Sequence, residues 1–168
     1  MQDALCKIKV LIMDVDGVLT DGRIIIDGNG VESKFFNVQD GFGVVFARKS
    51  GIKTAIISAR PSPVVQWRAK DLGIDKVFMV YPKISAYETL KQEWGVNDDE
   101  ICFIGDDLAD LVILKKVGFA VAVKNAVSEV KQVVDYVTEK SGGHGAVREL
   151  VELILKAQGK WGPELYEH

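Results

Sequence analysis

Val10-Leu11-Ile12-Met13-Asp14-Val15-Asp16-Gly17-Val18-Leu19-Thr20-Asp21-Gly22 is the stretch whose reading decides the fold. An aliphatic run ends abruptly in two carboxylates one residue apart, and glycines follow. The run reads as a strand of a parallel sheet buried on both faces. The glycines permit a sharp exit whose backbone N–H groups can turn towards an anion. Ligands of open α/β sheets bind beyond the carboxyl ends of the strands, so Asp14 and Asp16 stand at the edge where chemistry collects. An Asp-Gly turn that merely closes a strand is the ordinary structural alternative. The other strand ends distinguish the two.

Outward from that stretch, four more units alternate strand with helix: 53–57 then 62–72, 76–80 then 83–94, 101–104 then 107–117, and 120–123 then 127–133. A helix over 40–51 precedes them, and one over 146–157 follows, with Val147, Leu150, Val151 and Ile154 at helical spacing. Such alternation predicts an α/β fold: a Rossmann-like parallel sheet with helices on both faces. Between the first strand and the first helix, two β-prone runs flank Gly28-Asn29-Gly30 and predict a β-hairpin over about 23–37. Its Ile24, Ile26, Val31, Phe35 and Phe36 are more apolar surface than a two-stranded ribbon can hide, so something must cover it. No boundary or repeat divides the chain, which reads as one domain over 1–168. A pliable lead, Gly142-Gly143-His144-Gly145, precedes the last helix. The polar tail over 158–168, with Trp161 and Tyr166, reads as a mobile arm able to reach over a neighbouring site.

Nearly half of the 168 residues are apolar, enough for a sizeable core, and the net charge is −3. No basic stripe or dense basic block is present, which argues against a nucleic-acid surface and for a small-molecule partner. The sequence has no membrane-length apolar run, and Met1 to Lys7 lacks a signal-peptide pattern, so the expected location is cytoplasmic. Cys6 and Cys102 are too few for a disulfide framework and lie in no zinc-binding pattern.

Three other predicted strand ends carry reactive types: Ser58 with Arg60 after Ile57, Lys83 after Tyr81-Pro82, and Gly105-Asp106-Asp107-Leu108-Ala109-Asp110 after Ile104. Singly, each has a plain reading, such as a helix cap or a solvated helix start. Together, five acids on one rim repel one another unless a cation is bound, and Mg2+ prefers carboxylate oxygen. The ordered set Asp14-x-Asp16-Gly17-Val18-x-Thr20-Asp21-Gly22, Ser58, Lys83 and Gly105-Asp106-Asp107-x-x-Asp110 resembles the haloacid dehalogenase superfamily of phosphotransferases. Val18 to Gly22, Phe36 to Gly43, Gly105 to Leu108 and Gly142 to Glu149 are similar to the capless 3-deoxy-D-manno-octulosonate 8-phosphate phosphatases.

The resemblance implies a Mg2+-dependent phosphatase without a cap domain. Asp14 would attack phosphorus to form an aspartyl phosphate, and Asp16 would serve as general acid and base. Asp14, Asp106 and the backbone carbonyl of Asp16 would bind the metal, with Asp107 and Asp110 behind them. Ser58 and Lys83 would hold the phosphoryl oxygens. Asn37, Gln39, Asp40 and Gly41 map onto a sugar-phosphate-binding segment. Arg60 and Arg68 match positive substrate-side positions and suit a sugar-acid carboxylate. The resemblance also implies a homotetramer, the hairpins of its four chains meeting around a central axis. Another nonulosonate 9-phosphate remains open as substrate. A phospho-accepting receiver domain is the alternative from another class, although its phosphorylated Asp follows a middle strand and it needs no counterpart of Asp16.

Overall fold

The computed structural model describes residues 1–165 and Glu167; Tyr166, noted above in the tail, lies outside the described residues. Strand β1 (Val10–Met13) is buried along its whole length. It pairs in parallel with β4 (Lys53–Ser58) on one side and β6 (Ile101–Gly105) on the other. With β5 (Lys76–Met79), β7 (Phe119–Ala122) and β8 (Tyr136–Val137), the sheet runs β5-β4-β1-β6-β7-β8, parallel throughout. β1, β6 and β7 are unbroken buried apolar runs, as a sheet covered on both faces requires. From β1 the chain works out to β5, then returns past β1 to continue through β6, β7 and β8. That reversal opens a crevice between β1 and β6. Register fixes what meets there: Met13 stands opposite both Ile56 and Ile104, so Asp14, Ser58 and Asp106 emerge at one edge.

Among the helices, α1 (Gln2–Lys7), α2 (Val38–Lys49), α3 (Pro63–Leu72) and α7 (Ala146–Ala157) form one contiguous layer, while α4 (Ile84–Trp94) packs against α5 (Leu111–Leu114). Right-handed crossovers send connections in opposite directions to opposite faces, which accounts for the two layers. Val147, Leu150, Val151 and Ile154 of α7 are all fully buried, as their spacing predicts.

Four differences from the sequence reading have physical causes. The helix expected over 107–117 is a 3-10 turn, Leu108–Asp110, followed by the short α5, because Asp107 and Asp110 cap each other's backbone. The helix expected over 127–133 shrinks to α6 (Ser128–Lys131). Neither α1 nor β8 is signalled by the sequence pattern, the latter because two residues display no periodicity. The tail is corrected from a mobile arm to a docked segment as far as Leu165. Trp161 packs edge-on against Phe46 with ring centroids 5.8 Å apart, the Arg148 guanidinium lies over the Trp161 ring, and Leu165 is buried.

The hairpin is present as a separate two-stranded sheet, with β2 (Ile25–Ile26) antiparallel to β3 (Glu32–Ser33). Asp27 builds its turn, one carboxylate oxygen accepting from the N–H groups of Asn29 (2.8 Å) and Val31 (2.9 Å). Among the described residues no helix is long and apolar enough to cross a membrane.

Candidate active site

Asp14 extends β1 by one ladder bond, its N–H donating to Ile104 O at 3.1 Å, and its side chain is buried. The chain then curls around Thr20, whose buried hydroxyl accepts from Gly17 N (3.4 Å) and Gly22 N (3.2 Å) and donates to Val15 O (3.3 Å). Thr20 therefore staples the loop. Gly17 has φ 94°, and a Cβ there would lie 2.0 Å from a carboxylate oxygen of Asp106, so only glycine lets the two loops meet. From the far side the Gly142 backbone seats on the same loop, where a Cβ would overlap Gly17 O.

Lys83 precedes α4, and its side chain is 2 % exposed. Its ammonium donates to Asp14 Oδ1 and to Asp110 Oδ1, each at 2.7 Å. The other oxygen of Asp110 accepts from the N–H groups of Asp106 (2.9 Å) and Asp107 (3.3 Å). Both oxygens of Asp110 thus hold neighbouring groups in place, whereas Asp106 Oδ1 is buried with no hydrogen-bond partner. Exposed Asp107 accepts from Leu108 N at 2.7 Å. Ser58 ends β4, buried, its Oγ accepting from Arg60 N at 3.4 Å.

Charge is out of balance in this crevice. Burial, and then the Asp110 carboxylate, push Asp14 up to about 6 against the opposing pull of Lys83. Burial and the charges of Asp14, Asp110 and Asp107 push Asp106 up to about 8. Lys83 itself is held above its ordinary value: burial opposes its charge, but Asp14 and Asp110 outweigh burial. Oxygens of Asp14, Asp106 and Asp110 lie within 4.8 Å of one another. One ammonium among clustered carboxylates, with a buried carboxylate oxygen left over, is a donor set that fits a hard divalent cation.

The cleft of about 200 Å³ is lined by Asp14, Asp16, Ser58, Ala59, Arg60, Lys83, Asp106, Asp107, Ala109 and Asp110. That is smaller than the ~300 Å³ at which pockets for whole small molecules begin, and it suits the phosphoryl end of a substrate. Asp16 Oδ1 accepts from Lys34 Nζ at 2.5 Å, and Asp16 Oδ2 lies 3.4 Å from Arg60 Nε. Glu32 bridges the same two cations, 3.3 Å from Lys34 Nζ and ion-paired with the Arg60 guanidinium, and it accepts from Ser62 Oγ at 2.5 Å. Glu32, Lys34 and Ser62 were missed in the sequence. The available signal was the alternation over 31–36, which sets Glu32 and Lys34 on the face opposite Val31, Ser33 and Phe35.

The remaining expected substrate residues do not line this cleft. Asn37 caps α2, accepting from Gln39 N (2.7 Å) and Asp40 N (3.3 Å), and donates to Gly143 O (3.3 Å). Asp40 is buried and accepts from Gly145 N (3.1 Å) and Arg148 N (2.9 Å), so it ties the start of α2 to the start of α7. Gln39 is exposed. Gly41 and Arg68 share a separate shallow groove with Val38, Phe42, Val45, Asp71 and Leu72. There Arg68 pairs with Asp71 at 2.6 Å, beneath the Phe36 ring. Arg60 and Arg68 therefore part company: one stands at the rim of β4, the other in the middle of α3, facing α2.

Residues 81–150 match the family of haloacid dehalogenase-like hydrolases. Over 155 residues the chain is 43% identical to the 3-deoxy-D-manno-octulosonate 8-phosphate phosphatase KdsC of Escherichia coli (strain K12), covering 92% of this chain and 82% of that one. The structure superposes with a TM-score of 0.94 on a haloacid dehalogenase superfamily (subfamily III A) hydrolase from Legionella pneumophila, at 49% identity over 98% of this chain and 90% of the other. It superposes at 0.92 on the 3-deoxy-D-manno-octulosonate 8-phosphate phosphatase of Moraxella catarrhalis in complex with magnesium, phosphate and the sugar acid, at 44% identity over 94% and 91% of the two chains. With its crevice carboxylates, its six-stranded parallel sheet and a hairpin in place of a cap, the chain belongs to the 3-deoxy-D-manno-octulosonate 8-phosphate phosphatase family of the haloacid dehalogenase superfamily.

Proposed function

We propose that this protein is a Mg2+-dependent phosphatase that hydrolyses 3-deoxy-D-manno-octulosonate 8-phosphate to the free sugar acid and phosphate, in lipopolysaccharide biosynthesis. The observation that carries the reading is the buried Asp14 carboxylate held by Lys83 beside an unpartnered oxygen of Asp106, in a chain 43% identical to a named enzyme of that activity. Asp14 attacks phosphorus; as its oxygen–phosphorus bond forms and the sugar oxygen–phosphorus bond breaks, Asp16 gives up a proton to the departing oxygen, and the carboxylate left behind is the one paired with Lys34 and Arg60. In the second half Asp16 takes a proton from water, the water oxygen bonds phosphorus, and the Asp14–phosphorus bond breaks. Ser58 and Lys83 hold the phosphoryl oxygens while charge moves across them. Asp14, Asp106 and the Asp16 carbonyl would hold Mg2+, with Asp107 and Asp110 orienting that set. Bound Mg2+ supplies neutralisation of the phosphoryl charge, without which the anionic Asp14 and an anionic substrate repel each other.

Arg60, at the mouth, is the guanidinium suited to the sugar-acid carboxylate. Asn37, Gln39, Asp40, Gly41 and Arg68 do not line the cleft of their own chain, and a contribution from that segment to a neighbouring subunit's site is part of the assembly we propose. A homotetramer is the assembly we propose, and it is supported by the hairpin and the adjoining start of α2. Val31 is 59% exposed and Phe35 65%, with Ile24, Ile26, Val38 and Phe42 also exposed. The catalytic unit is the single domain 1–168, and a cytoplasmic location fits two unpaired cysteines.

A nonulosonate 9-phosphate is the second reading, favoured by a cleft that reads the phosphoryl end more closely than the distal sugar. A receiver domain is disfavoured because Asp16, the group needed for turnover, stands in the cleft. Phosphate release from a panel of sugar phosphates, with Mg2+ and with chelator, tests all three. The octulosonate 8-phosphate is expected to be turned over fastest, and only with Mg2+. Faster release from a 9-phosphate would replace the substrate, and a single stoichiometric phosphorylation without turnover would return the receiver.

A further inference from the structure

The hairpin segment Val31 to Phe36 is inside out. Its apolar Val31 and Phe35 face solvent, while Glu32 and Lys34 turn inward onto Arg60 and Asp16 of the cleft wall. A lysine side chain only 1% exposed is costly to bury unless it is closely paired, and Lys34 is paired with Asp16 at 2.5 Å and Glu32 at 3.3 Å. Glu32 in turn holds Arg60, and Arg60 Nε returns to the second oxygen of Asp16. Each oxygen of Asp16 is therefore fixed by a different cation, and both cations are tied together by one hairpin carboxylate. Asp16 lies on a glycine-flanked loop and has no other side-chain partner among the described residues.

We infer that Lys34 is a positioning residue for Asp16: the inward face of the hairpin, Lys34 together with Glu32, fixes the carboxylate that delivers and removes the proton. The inference rests on the acid/base reading of Asp16 proposed above. A proton donor works only within hydrogen-bond reach of the departing oxygen, so a carboxylate free to rotate loses rate and not binding. The hairpin then has two functions on its two faces, one towards other subunits and one towards the chemistry of its own chain.

The test is a double-mutant cycle of Lys34→Met and Asp16→Asn, with octulosonate 8-phosphate as substrate and Mg2+ affinity measured by calorimetry in every variant. Lys34→Met is expected to lower kcat about 10- to 100-fold, to change KM less than about threefold, and to leave Mg2+ affinity unchanged. On the Asp16→Asn background the same substitution is expected to change kcat less than about twofold, because its effect passes through the carboxylate already lost. Single-turnover release of 4-nitrophenolate from 4-nitrophenyl phosphate, a leaving group that needs no proton, is expected to be preserved in Lys34→Met. An equal loss on both backgrounds, or an unchanged kcat in Lys34→Met, overturns the positioning role alone. Full activity of Asp16→Asn overturns the acid/base reading and this inference with it. Should Lys34→Met fail to fold, Glu32→Gln, which loosens the same pair of cations, carries the same comparison with the same criteria.

Discussion

The roles proposed for Asp14 and Asp106 need them anionic in a place that opposes anions. In the fold without metal, Asp106 sits at about 8 and Asp14 at about 6, from an ordinary 3.8. Between the unfolded and folded values the native state holds more protons than the unfolded chain, so stability contributed by these groups falls as pH rises through that window. A divalent cation takes the place of those protons, so its stabilisation grows across the same range. The Mg2+-induced rise in Tm is therefore expected to be larger at about pH 8.5 than at about pH 5.5, as read by scanning fluorimetry; an equal rise would remove both carboxylates from the ligand set. Asp14→Asn is expected to fold and to lose about 10⁴-fold or more in kcat, since an amide is no nucleophile. Asp106→Ala is expected to weaken Mg2+ binding by calorimetry, because it deletes the unpartnered oxygen that fits the ion.

At the scale of elements, the strands of the sheet were legible because burial on both faces leaves an unbroken apolar signature, as in Val10–Met13 and Ile101–Gly105. The reactive loops were legible because register delivers strand ends to one edge whatever the helices do. Less could be read where partners lie far along the chain. Asp40 resembles a substrate residue in the sequence, yet it bonds backbone groups more than 100 residues away and caps α7. Burial raises its carboxyl above the usual range even against the hydrogen bonds from Arg148 and Gly145. Asp40→Ala is accordingly expected to cost about 1–2 kcal/mol of stability by chemical denaturation with KM changed little. A large rise in KM with stability intact would restore a substrate contact. Lys34 was hidden for another reason: alternation in the hairpin is clear, but nothing local says that its charged face is the inner one.

For the whole molecule, the exposed apolar face of the hairpin and the start of α2 sets the expected assembly. Phe35→Asp places a charge where the proposed subunit contact needs a desolvated ring, and it is expected to convert a tetramer of the unmodified protein into smaller species by light scattering. An unmodified protein that runs as a monomer at working concentration would discard the assembly.

The chain's two cysteines occupy opposite situations. Cys6 is exposed on α1, whose end meets α7 and the start of β1, at the pole of the sheet away from the catalytic edge. Cys102 is fully enclosed in β6, where burial and the nearby Asp135 push its thiol far above the usual range. A thiol reagent should consequently titrate one sulfur per folded chain and two on unfolding. The unmodified protein thus carries a ready-made attachment point. Spin labels at Cys6 would report distances between subunits of the proposed assembly with no engineered cysteine, and a tether placed there would lie at the opposite end of the sheet from the cleft of its own chain.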